Sequence, residues 1–257
     1  FEQAPDDWPR MLGATPAERD DWRACAAHGG LPFPALRLDP DARARWFSNY
    51  VSTYLDRDLR DLTAVADLGQ FRKLMAALAL RIGNPVNQTE LARDLGIPQR
   101  TISRWIDLLE TSWLLKQLPA YTVNRTSRLM KRPKLYWADS GLALHLAGAP
   151  EPSGAHLENL VLSDILAWGA LQPHTPEIMY WRTVNNDEVD FVIEWRGKTL
   201  AVEVKATRRP TWTDWSHLRR FVSEYADTCH GALLLHDGDD ILRASDNVIA
   251  APWWRVI

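Results

Sequence analysis

The chain is poor in the residues that build disulfide frameworks and zinc sites. Its 257 residues include two cysteines, Cys25 and Cys229, and its seven histidines are scattered without a His-x-x-x-His pair. Two cysteines so far apart form neither a disulfide framework nor a CxxC metal motif. We therefore expect both thiols to be reduced, and the sequence gives no indication of a zinc site.

Long apolar runs are also missing from the sequence. No stretch approaches the roughly 20 apolar residues that a membrane-spanning helix needs, and the chain does not start with a basic and apolar leader. Hydrophobic residues make up 46% of the chain and charged residues 25%, which is typical of globular proteins. The sequence predicts a cytoplasmic protein without a membrane partner.

The net charge of −3 conceals an uneven distribution of charge along the chain. Residues 39–150 carry 16 basic and 11 acidic side chains, whereas residues 151–257 carry 10 basic and 16 acidic ones. A basic middle part favours contacts with phosphate groups, and an acidic C-terminal part favours binding of a metal ion. The two parts are therefore expected to have different partners.

Proline and glycine divide the chain into three segments. Residues 1–38 begin without methionine and contain several prolines, so we expect a connector from a missing upstream domain. Residues 39–149 form a predominantly helical segment, and the linker around Pro150 and Pro152-Ser153-Gly154 separates it from residues 150–257. The predicted protein has two domains and belongs to the α+β or α/β class.

Residues 87–111 have the pattern of a helix-turn-helix. Asn87 or Thr89 caps a first helix, Gly96 ends it, and Pro98 opens a second helix that runs to about Thr111. Predicted strands at residues 113–118 and 134–138 follow, and the whole resembles a winged helix. The second helix of such a motif presents its N-terminal residues to a DNA groove.

Basic residues concentrate in this winged-helix segment, which suits phosphate contact without sequence preference. The candidate DNA-binding residues are Arg100, Arg104, Arg125, Arg128, Lys131 and Arg132. Winged helices also serve as protein-interaction modules, so the alternative is a protein-docking role for the basic loop that residues 124–132 are predicted to form.

The C-terminal segment contains a predicted β-hairpin with acidic residues on one face. With Arg196 and Gly197 as the turn, Trp195 faces Lys198, and counting outward places Asp190 opposite Glu203. Opposed residues have Cβ atoms roughly 5 Å apart, so two carboxylates there repel each other unless a cation lies between them. A hard divalent cation fits this need, although an ordinary solvated hairpin face is the alternative.

The spacing of Asp190, Glu203 and Lys205 resembles the Asp-x(n)-Glu-x-Lys pattern of the PD-(D/E)XK nuclease superfamily, with Val189 in place of the proline. The resemblance implies that Asp190 and Glu203 bind Mg²⁺ or Mn²⁺ and that Lys205 assists the attacking water. The predicted order of a helix, three strands, a helix and two strands agrees with a restriction-endonuclease-like mixed sheet. Glu158, on the preceding helix, is a further metal ligand and catalytic candidate, or else only stabilises the helix dipole.

An ordered set of motifs gives a wider resemblance. The set consists of Gly29-Gly30-Leu31-Pro32, Tyr54-Leu55-Asp56-Arg57-Asp58, Leu91-Ala92-Arg93-Asp94-Leu95-Gly96, Lys131-Arg132-Pro133-Lys134-Leu135-Tyr136, Asp139-Ser140-Gly141, Leu157-Glu158-Asn159 and the hairpin pattern. Together they resemble the C-terminal portion of bacterial and archaeal AAA-type ATPases that carry a DUF4143 region. The resemblance implies an upstream ATPase domain, through which alone ATP would act.

Two functions are expected from these patterns. The first is a Mg²⁺-dependent deoxyribonuclease in which the winged helix holds DNA. The second is a non-catalytic module that binds DNA or a protein partner, itself included, and retains a relic of the nuclease fold.

Overall fold

The structure is a computed structural model that describes residues 3–14, 18–54, 67–124, 128 and 131–256. The chain divides into two compact units. The sheet unit comprises Phe1–Trp22, Leu118–Lys131 and Val161–Ile257, and the helical unit comprises Arg23–Gln117 and Arg132–Leu160. The predicted sequence of a helical region followed by a mixed-sheet domain is confirmed. The division at residues 38 and 149 stays a prediction.

The described part of the chain begins with a run of helices and ends mainly in strands, as expected for an α+β protein. The helices are α1 (Trp8–Ala14), α2 (Trp22–His28), α3 (Pro32–Arg37), α4 (Pro40–Thr53), α5 (Leu68–Ala79), α6 (Gln88–Leu95), α7 (Gln99–Thr111), α8 (Ser140–Ala147), α9 (Gly154–Ala170) and α10 (Trp212–Glu224). The strands are β1 (Leu115–Leu118), β2 (Lys134–Trp137), β3 (Glu177–Arg182), β4 (Glu188–Trp195), β5 (Lys198–Lys205), β6 (Cys229–His236), β7 (Leu242–Ser245) and β8 (Val248–Pro252). Within the described ranges, no helix combines the length and the apolar character needed to cross a bilayer.

The predicted helix-turn-helix is present in the helical unit as α6 and α7. The Asn87 side chain accepts a hydrogen bond from the Glu90 N–H and caps α6, and Gly96 ends that helix with a φ of +66°. A left-handed backbone conformation at this position favours glycine, because glycine has no Cβ. Leu91, Ile102 and Ile106 are buried, and β1 and β2 pair into a two-stranded sheet.

Asp139 explains two of the motifs that the sequence presents far apart. One carboxylate oxygen accepts the N–H groups of Gly30 and Leu31 at 2.7 and 3.0 Å, and the other caps α8 by accepting the Leu142 N–H at 2.6 Å. A Cβ on Gly141 would lie 2.9 Å from the Ala27 carbonyl oxygen. The Gly29-Gly30-Leu31-Pro32 and Asp139-Ser140-Gly141 motifs therefore hold one loop against the start of one helix.

The sheet unit is built on a six-stranded mixed sheet with the strand order β3-β4-β5-β6-β8-β7. Strands β3, β4 and β5 are antiparallel, β5 and β6 are parallel, β6 and β8 are parallel, and β7 returns antiparallel to β8. Leu218 and Phe221 of α10 pack on one face, against Ala201, Ala232 and Leu234. Because side chains alternate across a strand, Glu203 and Lys205 lie on the same face as Ala201.

Two features of the sheet unit differ from the expectations. Three strands, β6, β7 and β8, follow helix α10, whereas the sequence predicted two strands there. The additional strand is β7. The N-terminal residues predicted as a connector contain α1, whose Trp8 and Leu12 are buried. A Cβ on Gly231 would lie 2.8 Å from the Trp8 ring, so this glycine permits the helix to approach strand β6 closely.

Candidate active site

The β4–β5 hairpin adopts the register expected from its turn. Arg196 and Gly197 both have positive φ values, of 51° and 77°, as a type I′ turn requires. Trp195 pairs with Lys198, and the paired register continues to Phe191 and Val202. Asp190 and Glu203 lie just beyond this last pair, and the pairing of β4 with β3 shifts between Val189 and Val192. The direct opposition of Asp190 and Glu203 stays a prediction.

The carboxylates of Asp190 and Glu203 each accept a backbone hydrogen bond from the neighbouring strand, next to the point where the paired register ends. The Asp190 N–H donates to Glu203 Oε2 at 3.3 Å, and the Val204 N–H donates to Asp190 Oδ2 at 3.0 Å. Only 5% of Asp190 and 3% of Glu203 are exposed. Buried backbone N–H groups need acceptors, and here the two carboxylates supply them. The pair is therefore fixed in position by the backbone of both strands.

Lys205 extends from the same face of β5 as Glu203. Its Nζ lies 2.5 Å from Glu203 Oε1, and 38% of the lysine side chain is exposed, compared with 5% of the glutamate side chain. The ammonium group therefore lies between a buried carboxylate and solvent. This is the position from which a cation can contact both a protein carboxylate and an anionic or aqueous ligand.

The chemistry of this cluster fits a magnesium or manganese ion. Mg²⁺ is commonly held by one or two carboxylates together with water and substrate oxygens. Asp190 and Glu203 supply two buried carboxylates, while Lys205 contributes one positive charge to the pair. A divalent cation is thus compatible with the donor set and would offset the excess negative charge.

Glu158, the third predicted ligand, belongs to the helical unit. Its Oε2 accepts a hydrogen bond from Tyr136 Oη at 3.2 Å. Among the residues described by the structure, no three His, Cys, Asp or Glu side chains converge to hold one metal ion. A role for Glu158 at the metal site stays a prediction.

His236 is a neighbour of the cluster that the sequence did not indicate. It pairs in register with Lys205 across the parallel strands β5 and β6 and is 1% exposed. Its Nδ1 accepts the Gly238 N–H at 2.9 Å. Burial lowers the pKa of His236, although the nearby Asp240, Asp237 and Asp239 act in the opposite direction. In the sequence, the feature that could have indicated His236 was its position at the end of an apolar strand.

The candidate DNA-binding residues fall into different environments. Arg100 and Arg104 line one shallow groove on α7, together with Thr101, Ser103 and Asp107. Arg132 is exposed in the helical unit, and Lys131 is exposed in the sheet unit, where its Nζ contacts the Arg182 carbonyl oxygen at 3.3 Å. Arg125 lies outside the described residues. The structure thus brings Arg100 and Arg104 together.

Arg128 requires a correction, because its side chain is buried and is not presented to a ligand. Its Nη1 and Nη2 bind Glu177 and Glu194, each at 2.7 Å, and its Nε binds the Thr122 carbonyl oxygen at 2.8 Å. The guanidinium also lies 5.2 Å from the centre of the Tyr121 ring. These contacts hold residue 128 against strands β3 and β4. They explain the position of Arg128 without any DNA contact.

Lys134, one of the 16 basic residues in the segment 39–150, is also buried, with 1% of its surface exposed. With Lys134 and Arg128 buried, the positive surface available to phosphate groups is smaller than the sequence count suggests. The exposed arginines of α7 are therefore the stronger part of the predicted nucleic-acid surface.

The comparisons with known proteins identify two matching domain families. Residues 19–153 match the domain of unknown function DUF8612, and residues 153–256 match the domain of unknown function DUF4143. The DUF4143 match agrees with the resemblance found in the sequence, but it covers the sheet-containing part, whereas a different domain covers the helical part. No solved structure matches the chain.

Similar curated proteins are described as uncharacterized. One from Mycobacterium bovis and one from Mycobacterium tuberculosis are each 30% identical over 252 residues, which is 95% of this chain and 54% of the relative. One from Haemophilus influenzae is 24% identical over 183 residues, or 69% of this chain and 44% of the relative. The chain therefore spans about half the length of these relatives.

Proposed function

The chain belongs to the family described as a domain of unknown function, DUF8612, and we propose that its sheet unit is a metal-dependent phosphodiesterase of the PD-(D/E)XK type that acts on DNA. The observation that carries the proposal is the cluster of Asp190, Glu203 and Lys205. Two buried carboxylates on neighbouring strands lie next to the end of the strand pair, and the lysine contacts one of them at 2.5 Å. The succession of α9, β3, β4, β5, α10 and β6 supports the same fold type.

Each residue of the cluster has a separate role in this proposal. Asp190 and Glu203 would hold Mg²⁺ or Mn²⁺ through their carboxylates, and their bonds to backbone N–H groups fix their orientation. The ion supplies Lewis-acid stabilisation of phosphate charge and lowers the pKa of a bound water. Lys205 orients the attacking water or contacts a phosphate oxygen from its half-exposed position. Glu158 is proposed to complete or position the metal site.

The helical unit is proposed to hold the DNA. Helices α6 and α7 and the β1–β2 pair support a winged helix, with Arg100 and Arg104 exposed on α7. Arg132 is a further exposed cation of this unit, and the preceding residue, Lys131, is an exposed cation of the sheet unit. Replacing Arg100 or Arg104 by Ala should reduce the slope of log affinity against log salt concentration by about 0.9 for each phosphate that the arginine neutralises. Arg93→Ala, an exposed arginine on α6, is the matched control.

The test of the nuclease proposal is cleavage of single-stranded and duplex DNA with Mg²⁺, with Mn²⁺ and with a chelator. Asp190→Asn, Glu203→Gln and Lys205→Met should each lower the rate strongly, while the exposed Glu224→Gln control retains it. Calorimetric titration of Mn²⁺ should show binding in the wild type that is lost in Asp190→Asn. Full cleavage by Asp190→Asn would contradict the assignment of the site.

A second candidate is a DNA-binding or protein-binding module without catalysis. The bonds from Asp190 and Glu203 to backbone N–H groups favour it, because they give both carboxylates a structural role in closing the strand pair. Metal-independent and salt-sensitive DNA binding by a chain that cleaves no substrate would select this candidate. Protein docking that survives neutralisation of Lys131 and Arg132 would argue against a basic docking surface.

From the motif resemblance we also propose an AAA-type ATPase domain that acts together with this chain. In that proposal ATP binds only the ATPase domain, since residues 197–199 of this chain match only the end of a phosphate-binding loop and lie on a hairpin. Self-association of the chain is a separate proposal that light scattering during size-exclusion chromatography tests directly.

A further inference from the structure

The helical unit contains a cavity of about 310 Å³ that the proposed nuclease function does not use. Its lining is mostly small and apolar, with contributions from Phe47, Leu144 and Pro150. Two basic side chains, Arg43 and His145, also line it. Its volume is at the lower end of the range of small-molecule sites, which begins at roughly 300 Å³.

Arg43 is the exceptional residue of this cavity, because it is 7% exposed and has no carboxylate partner among the described residues. Its Nε donates to the Pro34 carbonyl oxygen at 3.0 Å, and its Nη2 donates to the Leu38 carbonyl oxygen at 2.8 Å. These carbonyl groups belong to the last turn of α3 and to Leu38, the residue that follows it, and the C-terminal end of a helix favours a cation. They satisfy two of the five N–H groups and leave the formal charge unbalanced.

The Nη1 group of Arg43 has no acceptor among the described residues, although the side chain lines the cavity. A cation in a protein interior is normally paired or hydrogen-bonded. Nη1 is not among the fully enclosed unpaired polar atoms of the described residues, so it stays accessible from the cavity. Its positive charge also acts on its surroundings. Burial, and secondly the charge of Arg43, lower the pKa of His28.

Anion binding is a common role of a guanidinium group in such an environment. A guanidinium presents two parallel N–H groups that match the two oxygens of a carboxylate. The apolar lining would favour a ligand with a hydrocarbon body over a fully hydrated inorganic ion. His145, whose Nε2 lies 3.2 Å from Ser48 Oγ, offers a further polar contact at the cavity wall.

We propose that this cavity binds a small organic carboxylate, with its carboxylate group on Arg43 and its apolar body against Phe47 and Leu144. The site is separate from Asp190, Glu203 and Lys205, which belong to the sheet unit. The proposal therefore holds or fails independently of nuclease activity.

The test is calorimetric titration of the whole chain with benzoate and with 4-methylpentanoate at constant ionic strength. Benzamide serves as the comparison ligand without a charge, and inorganic phosphate as the comparison ligand without an apolar body. Saturable binding of a carboxylate is expected, and Arg43→Met should weaken it by roughly tenfold to a hundredfold, since hydrogen bonds to charged groups are the strong ones. Arg45→Met, an exposed arginine on the same helix, should retain it.

Because Arg43 also anchors the end of α3, a second variant keeps the test decisive. Ala44 lines the cavity from an exposed position on α4, and leucine is a good helix former. Ala44→Leu should therefore preserve folding and Arg43 but block carboxylate binding. No saturable binding of either carboxylate by the wild type would overturn the proposal, as would binding that Ala44→Leu leaves unchanged. Phosphate or benzamide binding as tightly as benzoate would also overturn it.

Discussion

Replacement of Arg128 tests whether this residue stabilises the sheet unit or binds DNA. Its side chain is 9% exposed and holds Glu194, which is 22% exposed, and Glu177, which is 55% exposed. It also donates to the Thr122 carbonyl oxygen and lies over the Tyr121 ring. Arg128→Ala removes all of these interactions together, and Arg128→Met retains part of the hydrocarbon packing.

The expected loss of stability follows from the burial of the partners. Breaking a buried ion pair by removing one member costs about 3–5 kcal/mol. Glu177 is more than half exposed, so water can rehydrate it and it accounts for a small part of the lost stability. Glu194 accounts for the larger part of the lost stability, because it stays mostly buried after its cation is removed. We therefore expect Arg128→Ala to lower the free energy of unfolding by about 2–3 kcal/mol, and Arg128→Met by less.

Urea denaturation followed by circular dichroism measures this loss, and thermal unfolding gives a second estimate. A loss of about 2–3 kcal/mol corresponds to a Tm lower by roughly 4–12 °C for a protein of this size. The matched control is Arg132→Ala, because Arg132 is exposed and such changes usually stay within about 0.5 kcal/mol. The reasoning is refuted if Arg128→Ala unfolds like the control but loses DNA affinity.

Three further outcomes are expected. Asp139→Ala removes a helix cap and two loop hydrogen bonds and should lower the unfolding free energy by about 2–4 kcal/mol in urea titrations; an unchanged midpoint would contradict the clamp. Asp190→Asn keeps an acceptor for the Val204 N–H and should change stability by less than about 1 kcal/mol, whereas Asp190→Ala should cost about 1–3 kcal/mol. Burial lowers the pKa of His156 below 6.5, so the unfolded chain binds more protons and stability should fall as pH drops below 6.5. His156→Gln should weaken that dependence, and an equally steep fall in the variant would count against it.

The hairpin was predictable from the sequence because its information is local. The turn at Arg196 and Gly197 sets the pairing of the two strands from Trp195 and Lys198 out to Phe191 and Val202. The helix-turn-helix was equally accessible, since Asn87 and Gly96 mark the ends of α6 by their own chemistry. In both cases a few adjacent residues determine the backbone.

Features that depend on distant partners were not accessible in the same way. Arg128 meets carboxylates 49 and 66 residues further along the chain, and no local pattern distinguishes it from an exposed arginine. Strand β7 is four residues long with no fully buried side chain, so it lacks the apolar signal of a central strand. It forms because β8 offers an edge for pairing.

Two buried arginines in this chain show why burial alone does not assign a role. Arg128 is paired with two carboxylates, so its charge is balanced within the protein and its removal is expected to affect stability. Arg43 is equally buried, and within the described part of the chain its bonds go to carbonyl groups, which lower the energy of a cation without neutralising it. A charge that is already paired within the protein needs no ligand to compensate it. An unpaired charge beside a cavity is stabilised when an anion binds there. That difference in counter-charge, absent from the sequence, is the reason to expect a ligand at Arg43 and not at Arg128.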